Sequence, residues 1–353
     1  MLQNLTKGRI VVADDSRLMR RMLSDALAKQ GFDVVATAAD GDEALAACNE
    51  HRPDALTLDL AMPGMDGIGV LRALRAGKAE AVPVVVVSAF SPAHGARAVD
   101  ALAEGAFDLV AKPAMGESIE VFTAELARKV NDAAEGGKLR TRRRMLAAAA
   151  PAAPAPPVVS PRPRSSSRKF VMIASSTGGP KALGELIPRL PSSLGAGTVI
   201  VQHLPSGFTA PLAHRLDQAA RLTVREASEG DVLNPRVALL APGGSHLRLT
   251  AAGTTTLSDA PEVGGLRPRA DLTIADAARA FGERTVLVVL TGMGNDGLEG
   301  AEAVRRCGGR VLVEAESTCT VYGMPRAVEE AHLADVVLPL GELPAAIAAE
   351  AVA

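Results

Sequence analysis

Two sets of residues in this chain have the types and positions that covalent chemistry requires. The first is acidic at its centre: Asp14 and Asp15 close the run "RIVVADD", and Asp59 closes the strand-like part of "ALTLDLA". Ser88 ends a fourth-strand run, "VPVVVVSAF", and Lys112 follows "FDLVA". Three carboxylates brought together repel one another, so they need protons or a cation, and an all-oxygen cluster suits a hard ion such as Mg2+. A carboxylate beside such an ion can attack phosphorus. The implied product is an aspartyl phosphate, with the metal neutralising charge, Lys112 pairing the phosphoryl oxygens and Ser88 donating to them. Asp59 is the best nucleophile, because it lies centrally, whereas the adjacent pair Asp14 and Asp15 is better arranged to hold metal with it.

The second set is spread over the other half of the chain. Ser176 stands in "ASSTGGPKAL", His203 in "QHLPSGF" and Asp296 in "TGMGNDG". Ser176 has three readings: a helix N-cap, part of a glycine-rich phosphate cradle, or a nucleophile exposed on a sharp strand-to-helix turn. The third needs a base and an orienting acid, and the chain order Ser176, His203, Asp296 supplies both if these strand ends converge. His214, His246 and His332 compete as bases, but His203 alone follows a continuous apolar strand, "TVIVQ". A rival reading comes from Gly292, Gly294 and Gly297, whose G-x-G-x-x-G spacing after "RTVLVVLT", with Glu314 and Glu316 further on, approaches a dinucleotide fingerprint. Asp296 argues against it. A negative charge between the second and third glycines repels a pyrophosphate, yet it is what a histidine base requires.

The elements that must position these residues read as two alternating α/β series. Before residue 130, five apolar runs alternate with amphipathic stretches, which implies five parallel strands with helices on both faces. Ligands in such sheets sit at the carboxyl ends of the strands, where the first set lies. A second series begins with "KFVMIASS" and continues through "GTVIVQHL", "RVALLAPG", "HLRLT", "TVLVVLTG", "GRVLVEAE" and "ADVVLPL". It predicts a doubly wound, mostly parallel sheet. Between them, residues 131–168 are rich in Ala, Pro and Arg, carry no Asp or Glu from Lys138 onward, and read as a linker with proline clusters at Pro151, Pro154, Pro156, Pro157, Pro161 and Pro163. The expected domains are therefore residues 8–130 and 169–350.

Composition excludes several classes. Net charge is only -2 and aromatic residues are 2% of the chain, so neither a phosphate-binding surface nor a stacking platform for nucleic acid is expected. No run of eighteen apolar residues and no N-terminal signal core occurs, so direct membrane insertion and export are not expected. Cys48, Cys307 and Cys319 lack metal-ligand spacing and read as small buried hydrophobes in a reducing cytoplasm.

The first 130 residues resemble a response-regulator receiver domain, in "VVADDS", "LTLDLAMPGMDG", "VSAF" and "AKP". That likeness implies a flavodoxin-like fold, phosphorylation of Asp59 by a chemotaxis histidine kinase, Mg2+ at Asp14, Asp15 and Asp59, and a switch through Ser88 and Lys112. The region from about Lys169 to Leu340 is similar to the catalytic domain of chemotaxis protein-glutamate methylesterases, in "SSTGGP", "VQHLPSGFT", "APGGSHLRL", "LTGMGNDG" and "CTVYGMPRAV". The resemblance implies hydrolysis of glutamate methyl esters on chemoreceptor cytoplasmic domains, and in many members deamidation of receptor glutamines. It makes Ser176 the nucleophile, His203 the base and Asp296 the orienting acid, with Met293 and the Thr177 turn at the oxyanion, no cofactor for the hydrolysis, and relief of receiver inhibition on phosphorylation. A receiver-coupled oxidoreductase and a non-enzymatic binding module are the alternatives. Four departures stand out: Leu109 where an aromatic is usual, Ala61 where a polar residue is frequent, Ala174-Ser175 in place of Gly-Ala, and Arg269 in place of serine. Ser175 is expected to point away from the site, because successive strand residues face opposite sides.

Overall fold

A computed structural model describes residues 6–77, 82–89, 92–113, 118–147 and 168–351. Backbone contacts divide the chain into two units, Met1–Pro154 and Ala155–Ala353. The N-terminal unit runs β1 (Arg9–Ala13), α1 (Arg17–Lys29), β2 (Asp33–Ala38), α2 (Gly41–His51), β3 (Ala55–Leu58), α3 (Gly67–Ala76), β4 (Val84–Ser88), α4 (Pro92–Ala103), β5 (Asp108–Ala111) and α5 (Ile119–Ala147). Its sheet is parallel in the order β2-β1-β3-β4-β5. β3 and β4 are buried at every position, as strands covered by helices on both faces must be. The direction of winding reverses between β1 and β3. Asp14 and Asp59 follow those two strands, so the acidic residues flank the crevice where doubly wound sheets bind ligands.

α5 continues well past residue 130, where the sequence pattern predicted a linker. Its continuation is packed: Val130, Ala133 and Ala134 are buried, and Asp132 is buried beside Arg128. The proline cluster of the expected linker lies outside the described residues.

The C-terminal unit runs β6 (Phe170–Ser175), α6 (Gly179–Leu186), β7 (Gly197–Gln202), α7 (Thr209–Ala219), β8 (Thr223–Glu226), β9 (Val237–Leu240), β10 (His246–Leu249), β11 (Thr255–Ser258), α8 (Ala270–Phe281), β12 (Thr285–Val289), α9 (Leu298–Arg306), β13 (Arg310–Glu314), α10 (Met324–Glu330), β14 (Val336–Leu338) and α11 (Leu343–Ala351). Seven strands form a parallel sheet, β14-β13-β12-β6-β7-β9-β8. "HLRLT" is not part of it. It pairs antiparallel with β11 as a separate hairpin, so this run was a strand but not a sheet member. Two strands lacked an apolar run in the sequence: β8 sits at the sheet edge with alternating exposure, and β11 is two threonines and a serine around a single leucine. Winding reverses between β6 and β12, which places Ser176 and the loop holding Asp296 on either side of one crevice.

Cysteine placement differs in one case from the expected core positions. Cys48 and Cys319 are buried, but Cys307 is exposed because it follows the last turn of α9 on the solvent side.

Candidate active site and phosphoacceptor pocket

In the N-terminal unit the side chains of Asp14, Asp15 and Asp59 converge, with oxygens within 4.8 Å of one another. Asp14 and Asp59 are buried and Asp15 is exposed. Lys112 reaches both buried carboxylates, 2.7 Å from Asp14 Oδ2 and 2.7 Å from Asp59 Oδ2. Burial alone lowers the Lys112 pKa, but the two carboxylates outweigh it and raise it, so the ammonium stays charged. For Asp14 burial wins, and its pKa is raised despite Lys112. Asp59 Oδ1 accepts hydrogen bonds from the Leu60 and Ala61 amides, which leaves the carboxylate aimed into the pocket. The hydroxyls of Ser88 and Thr57 are buried without a hydrogen-bond partner. Three carboxylates against one lysine leave negative charge for a divalent cation, and orphaned hydroxyls suit an incoming oxyanion, so these residues fit both groups.

The second site is assembled by two helices that cap each other. Asp296, on the loop before α9, accepts the Ala270 amide at 2.7 Å and the Asp271 amide at 2.9 Å, the unpaired donors at the start of α8. Asp271, in the first turn of α8, returns the interaction by accepting the Gly297 and Gly300 amides at the start of α9, each at 2.8 Å. Close packing makes this exchange reachable, since a Cβ on Gly300 would collide with Ile274. The remaining lone pairs of Asp296 face His203, whose Nε2 lies 2.7 Å from Oδ2. Burial works against ionisation of Asp296, but His203 and the two amides overcome it and hold its pKa below the ordinary carboxylate range. An ionised Asp296 can only accept, so Nε2 carries the proton and Nδ1 is the basic nitrogen.

His203 and Ser176 are neighbours across adjacent strands. Ser175 pairs with Gln202 in the β6–β7 register, and the His203 amide donates to the Ser175 carbonyl. Ser175 is fully buried and its hydroxyl donates to Gln202 Oε1 at 2.7 Å, while Ser176 is half-buried, as strand alternation predicts. The N-cap of α6 is Gly178, in the left-handed region at φ 78° with no side-chain cap, so Ser176 is not spent on capping. Gln202 also donates to the Ser176 and His203 carbonyls, fixing both turns. A Cβ on Gly179 would strike the Gln202 amide oxygen, which explains the second glycine of "STGGP".

The loop opposite is equally constrained. Thr291 accepts the Ser176 amide on its carbonyl, and its hydroxyl reaches the Thr177 carbonyl at 3.0 Å. The Thr291 amide donates to Glu314 Oε2 at 2.8 Å, and Thr318 donates to Oε1 at 2.9 Å. Burial raises the Glu314 pKa against these donors. A carboxyl so engaged and fully buried is not available to a ribose, and Asp296 is committed to His203, so the dinucleotide reading is not supported. Met293 is part-exposed at the tip of the loop. His246, a rival base by type, is buried: it accepts the Arg269 amide on Nδ1 and donates from Nε2 to the Pro261 carbonyl.

Comparison with known proteins decides the family. The CheB methylesterase family matches residues 171–347, half of the chain, and the response regulator receiver domain family matches residues 10–122. The chain belongs to the CheB methylesterase family. A protein-glutamate methylesterase/protein-glutamine glutaminase of Symbiobacterium thermophilum is 41% identical over 348 residues, covering 96% of each chain. A Myxococcus xanthus protein of that name is 42% identical over 342 residues, covering 94% of each. The crystal structure of the Thermotoga maritima CheB methylesterase catalytic domain is 44% identical, with a TM-score of 0.51, and covers 52% of this chain and 98% of its own. The methylesterase domain thus carries Ser176, His203 and Asp296 around one crevice, and the receiver carries Asp14, Asp15, Asp59, Ser88 and Lys112 around another.

Sequence reasoning missed the partners that hold these groups. Gln202 stood unremarked beside His203. Asp271 carries no signal in the sequence, Glu314 reads only as part of the dinucleotide-like pattern, and Arg269 only as a departure from serine. Its guanidinium lies 2.7 Å from Asp271 Oδ2 and 3.5 Å from Asp296 Oδ1.

Proposed function

We propose that the chain is a phosphorylation-activated hydrolase of glutamate γ-methyl esters on chemoreceptors, acting in chemotaxis adaptation. The observation that carries this reading is the His203–Asp296 pair at 2.7 Å, set across the β6–β7 register from Ser176. Nδ1 of His203 takes the Ser176 hydroxyl proton as Oγ attacks the ester carbonyl, and Asp296 stabilises the imidazolium. Backbone amides of the Thr177 turn and of Met293 receive the oxyanion. The imidazolium returns its proton to the methoxide leaving group. Methanol departs, and water then hydrolyses the acyl-enzyme by the same base, giving the γ-carboxylate and free Ser176. A γ-carboxamide enters the same sequence and releases ammonia, so glutamine deamidation needs no further residue. The hydrolysis itself uses no cofactor.

Activation begins at Asp59, which accepts a phosphoryl group from a chemotaxis histidine kinase. Asp14, Asp15 and Asp59 would hold Mg2+, which neutralises charge on the transferring group. Lys112 leaves its two carboxylates to pair a phosphoryl oxygen, and the orphaned Ser88 hydroxyl donates to another. The cytoplasm suits this chain, whose three cysteines are all free, and among the described residues no helix is long and apolar enough to cross a membrane. Methanol release from methylated receptor membranes tests the assignment. Ser176→Ala should abolish it while the fold persists, because Gln202 bonds the Ser176 carbonyl and not its hydroxyl. Retained turnover excludes Ser176 as nucleophile.

A further inference from the structure

The reciprocal caps create an electrostatic problem that the triad alone does not resolve. Asp271 and Asp296 are both buried, share the junction of α8 and α9, and interact through their side chains. Two adjacent carboxylates sheltered from water cannot both stay ionised without a neighbouring cation. A proton taken up by the pair goes to Asp271, the carboxyl whose pKa is raised, and changes the charge that His203 faces. Arg269 is the cation at hand: its side chain is 12% exposed, one nitrogen is 2.7 Å from Asp271, and another is 3.5 Å from Asp296. Its own amide is held by His246 Nδ1, and the Gly264 backbone packs against the guanidinium so closely that a Cβ there would collide with it. The charged and titratable groups around it are therefore His203, His246, Asp271, Asp296 and Glu299. Asp271 illustrates the strain on the pair. Burial and the nearby Asp296 push its carboxyl up to about 6 even with Arg269 in contact.

We propose that Arg269 is a positioning residue for the hydrolysis: it neutralises Asp271, so that Asp296 faces His203 with one uncompensated negative charge. The site then counts two carboxylates against one guanidinium. Removing the guanidinium makes the surroundings of His203 more negative, and removing the Asp271 charge makes them neutral. The two changes must therefore act on His203 in opposite directions, and together they must cancel. A role for Arg269 in packing alone makes both changes harmful in the same sense and the double variant worse.

This proposal rests on the triad reading above, and its test keeps the two apart. In the full chain with labelled histidine, the imidazole titration of His203 is followed by NMR, with assignment by loss of the signal in His203→Gln. Asp271→Asn should lower the midpoint by about one pH unit, while its retained oxygen still accepts the Gly297 and Gly300 amides. Arg269→Gln should raise the midpoint by a smaller step, because Asp271 then takes up a proton and offsets part of the change. Arg269→Lys, which keeps the charge, should stay near wild type, and Arg269→Gln with Asp271→Asn should return to it. In methanol release at neutral pH, each single variant should lose about tenfold in kcat/KM and the double variant should recover most of it. Midpoints that move in the same direction, or not at all, overturn the proposal. A wild-type protein that releases no methanol but shows the opposed shifts overturns the proposed function and leaves the charge relation standing.

Discussion

Asp296→Asn isolates the acid of the proposed triad with almost no change in size. Asp296 accepts three hydrogen bonds at 2.9 Å or less: His203 Nε2 and the Ala270 amide on Oδ2, and the Asp271 amide on Oδ1. Asparagine has one accepting oxygen. If that oxygen takes the Asp271 amide, the new NH2 faces the Ala270 N–H and the imidazole. His203 must then accept at Nε2, and its proton moves to Nδ1, the nitrogen that serves as base. If the oxygen turns the other way, the NH2 meets the Asp271 N–H and Arg269, and a charge-assisted bond is lost from the start of α8. The first arrangement removes the base. An aspartate-to-asparagine change in a serine-protease triad, with the same wrong-tautomer outcome, costs about 10⁴-fold in kcat, or about 5.4 kcal/mol of transition-state stabilisation.

Stability must be measured alongside, because each charge-assisted bond lost at a buried site removes about 1.5–3 kcal/mol. Asp296 ionises below the ordinary carboxylate range in the folded protein, so its stabilising contribution is fully present above the unfolded value and is lost as pH falls through the folded one, about 2. The penalty of Asp296→Asn should therefore be full at pH 7 and shrink below about pH 4. Methanol release at pH 7, with the folded fraction fixed by denaturant unfolding, reads the catalytic effect. A folded variant that keeps more than a tenth of wild-type turnover refutes the base-and-acid assignment.

Asp59→Asn should leave basal methanol release intact and remove its stimulation by a small-molecule phosphodonor, and chelation of Mg2+ should do the same to the wild-type chain; a stimulated variant contradicts the phosphoacceptor assignment. Gly292→Ala places a Cβ against the Met324 sulfur and Ser176 Cβ, and should cost on the order of 10²-fold in kcat with little change in KM, as expected for a displaced oxyanion donor. Glu314→Gln should fold and keep the Thr291 contact, since the amide oxygen still accepts and its NH2 can donate to the Thr318 oxygen. The raised Glu314 pKa means that the folded wild type holds a proton the unfolded chain has released, so wild-type stability falls as pH rises above the ordinary glutamate value. The variant should gain on wild type as pH rises above the ordinary glutamate value in denaturant unfolding, and a constant difference counts against a strained Glu314.

Where the sequence was legible, the signal was local. Continuous apolar runs marked all five strands of the receiver and six of the seven in the methylesterase sheet, because strands covered on both faces cannot hide polar residues. Alternation within "IASST" separated Ser175 from Ser176, and the structure shows the physical basis: one hydroxyl is turned into the core toward Gln202 and the other residue lies at the strand end. β8 escaped because an edge strand of four residues has no unbroken apolar run. α5 overran its expected end because alanines can bury a helix face without an apolar pattern that stands out from the linker's own alanines. The exchange of caps between α8 and α9 joins residues about 25 positions apart through backbone amides, and no periodicity records such a pairing. Arg269 was visible only as an unexpected residue type. Its meaning depends on two carboxylates meeting in space.

The receiver and the methylesterase domain meet the same difficulty, two buried carboxylates and one cation, and resolve it to opposite ends. In the receiver, Lys112 bridges Asp14 and Asp59 through a single ammonium, the one side-chain donor Asp59 receives among the described residues. An ammonium on a flexible stem can change partners at little cost, and the unpaired Ser88 and Thr57 hydroxyls leave the pocket short of hydrogen bonds until an oxyanion arrives. That arrangement favours a switch. In the methylesterase domain the carboxylates are pinned by four backbone amides, and the cation is a planar guanidinium anchored through its own amide. Moving Asp296 breaks the bonds at the start of α8, and moving the Asp271 carboxylate breaks those at the start of α9. Such a site stores nothing for later release and keeps the His203 proton on Nε2, which is what the proposed base requires if it is to act in every turnover.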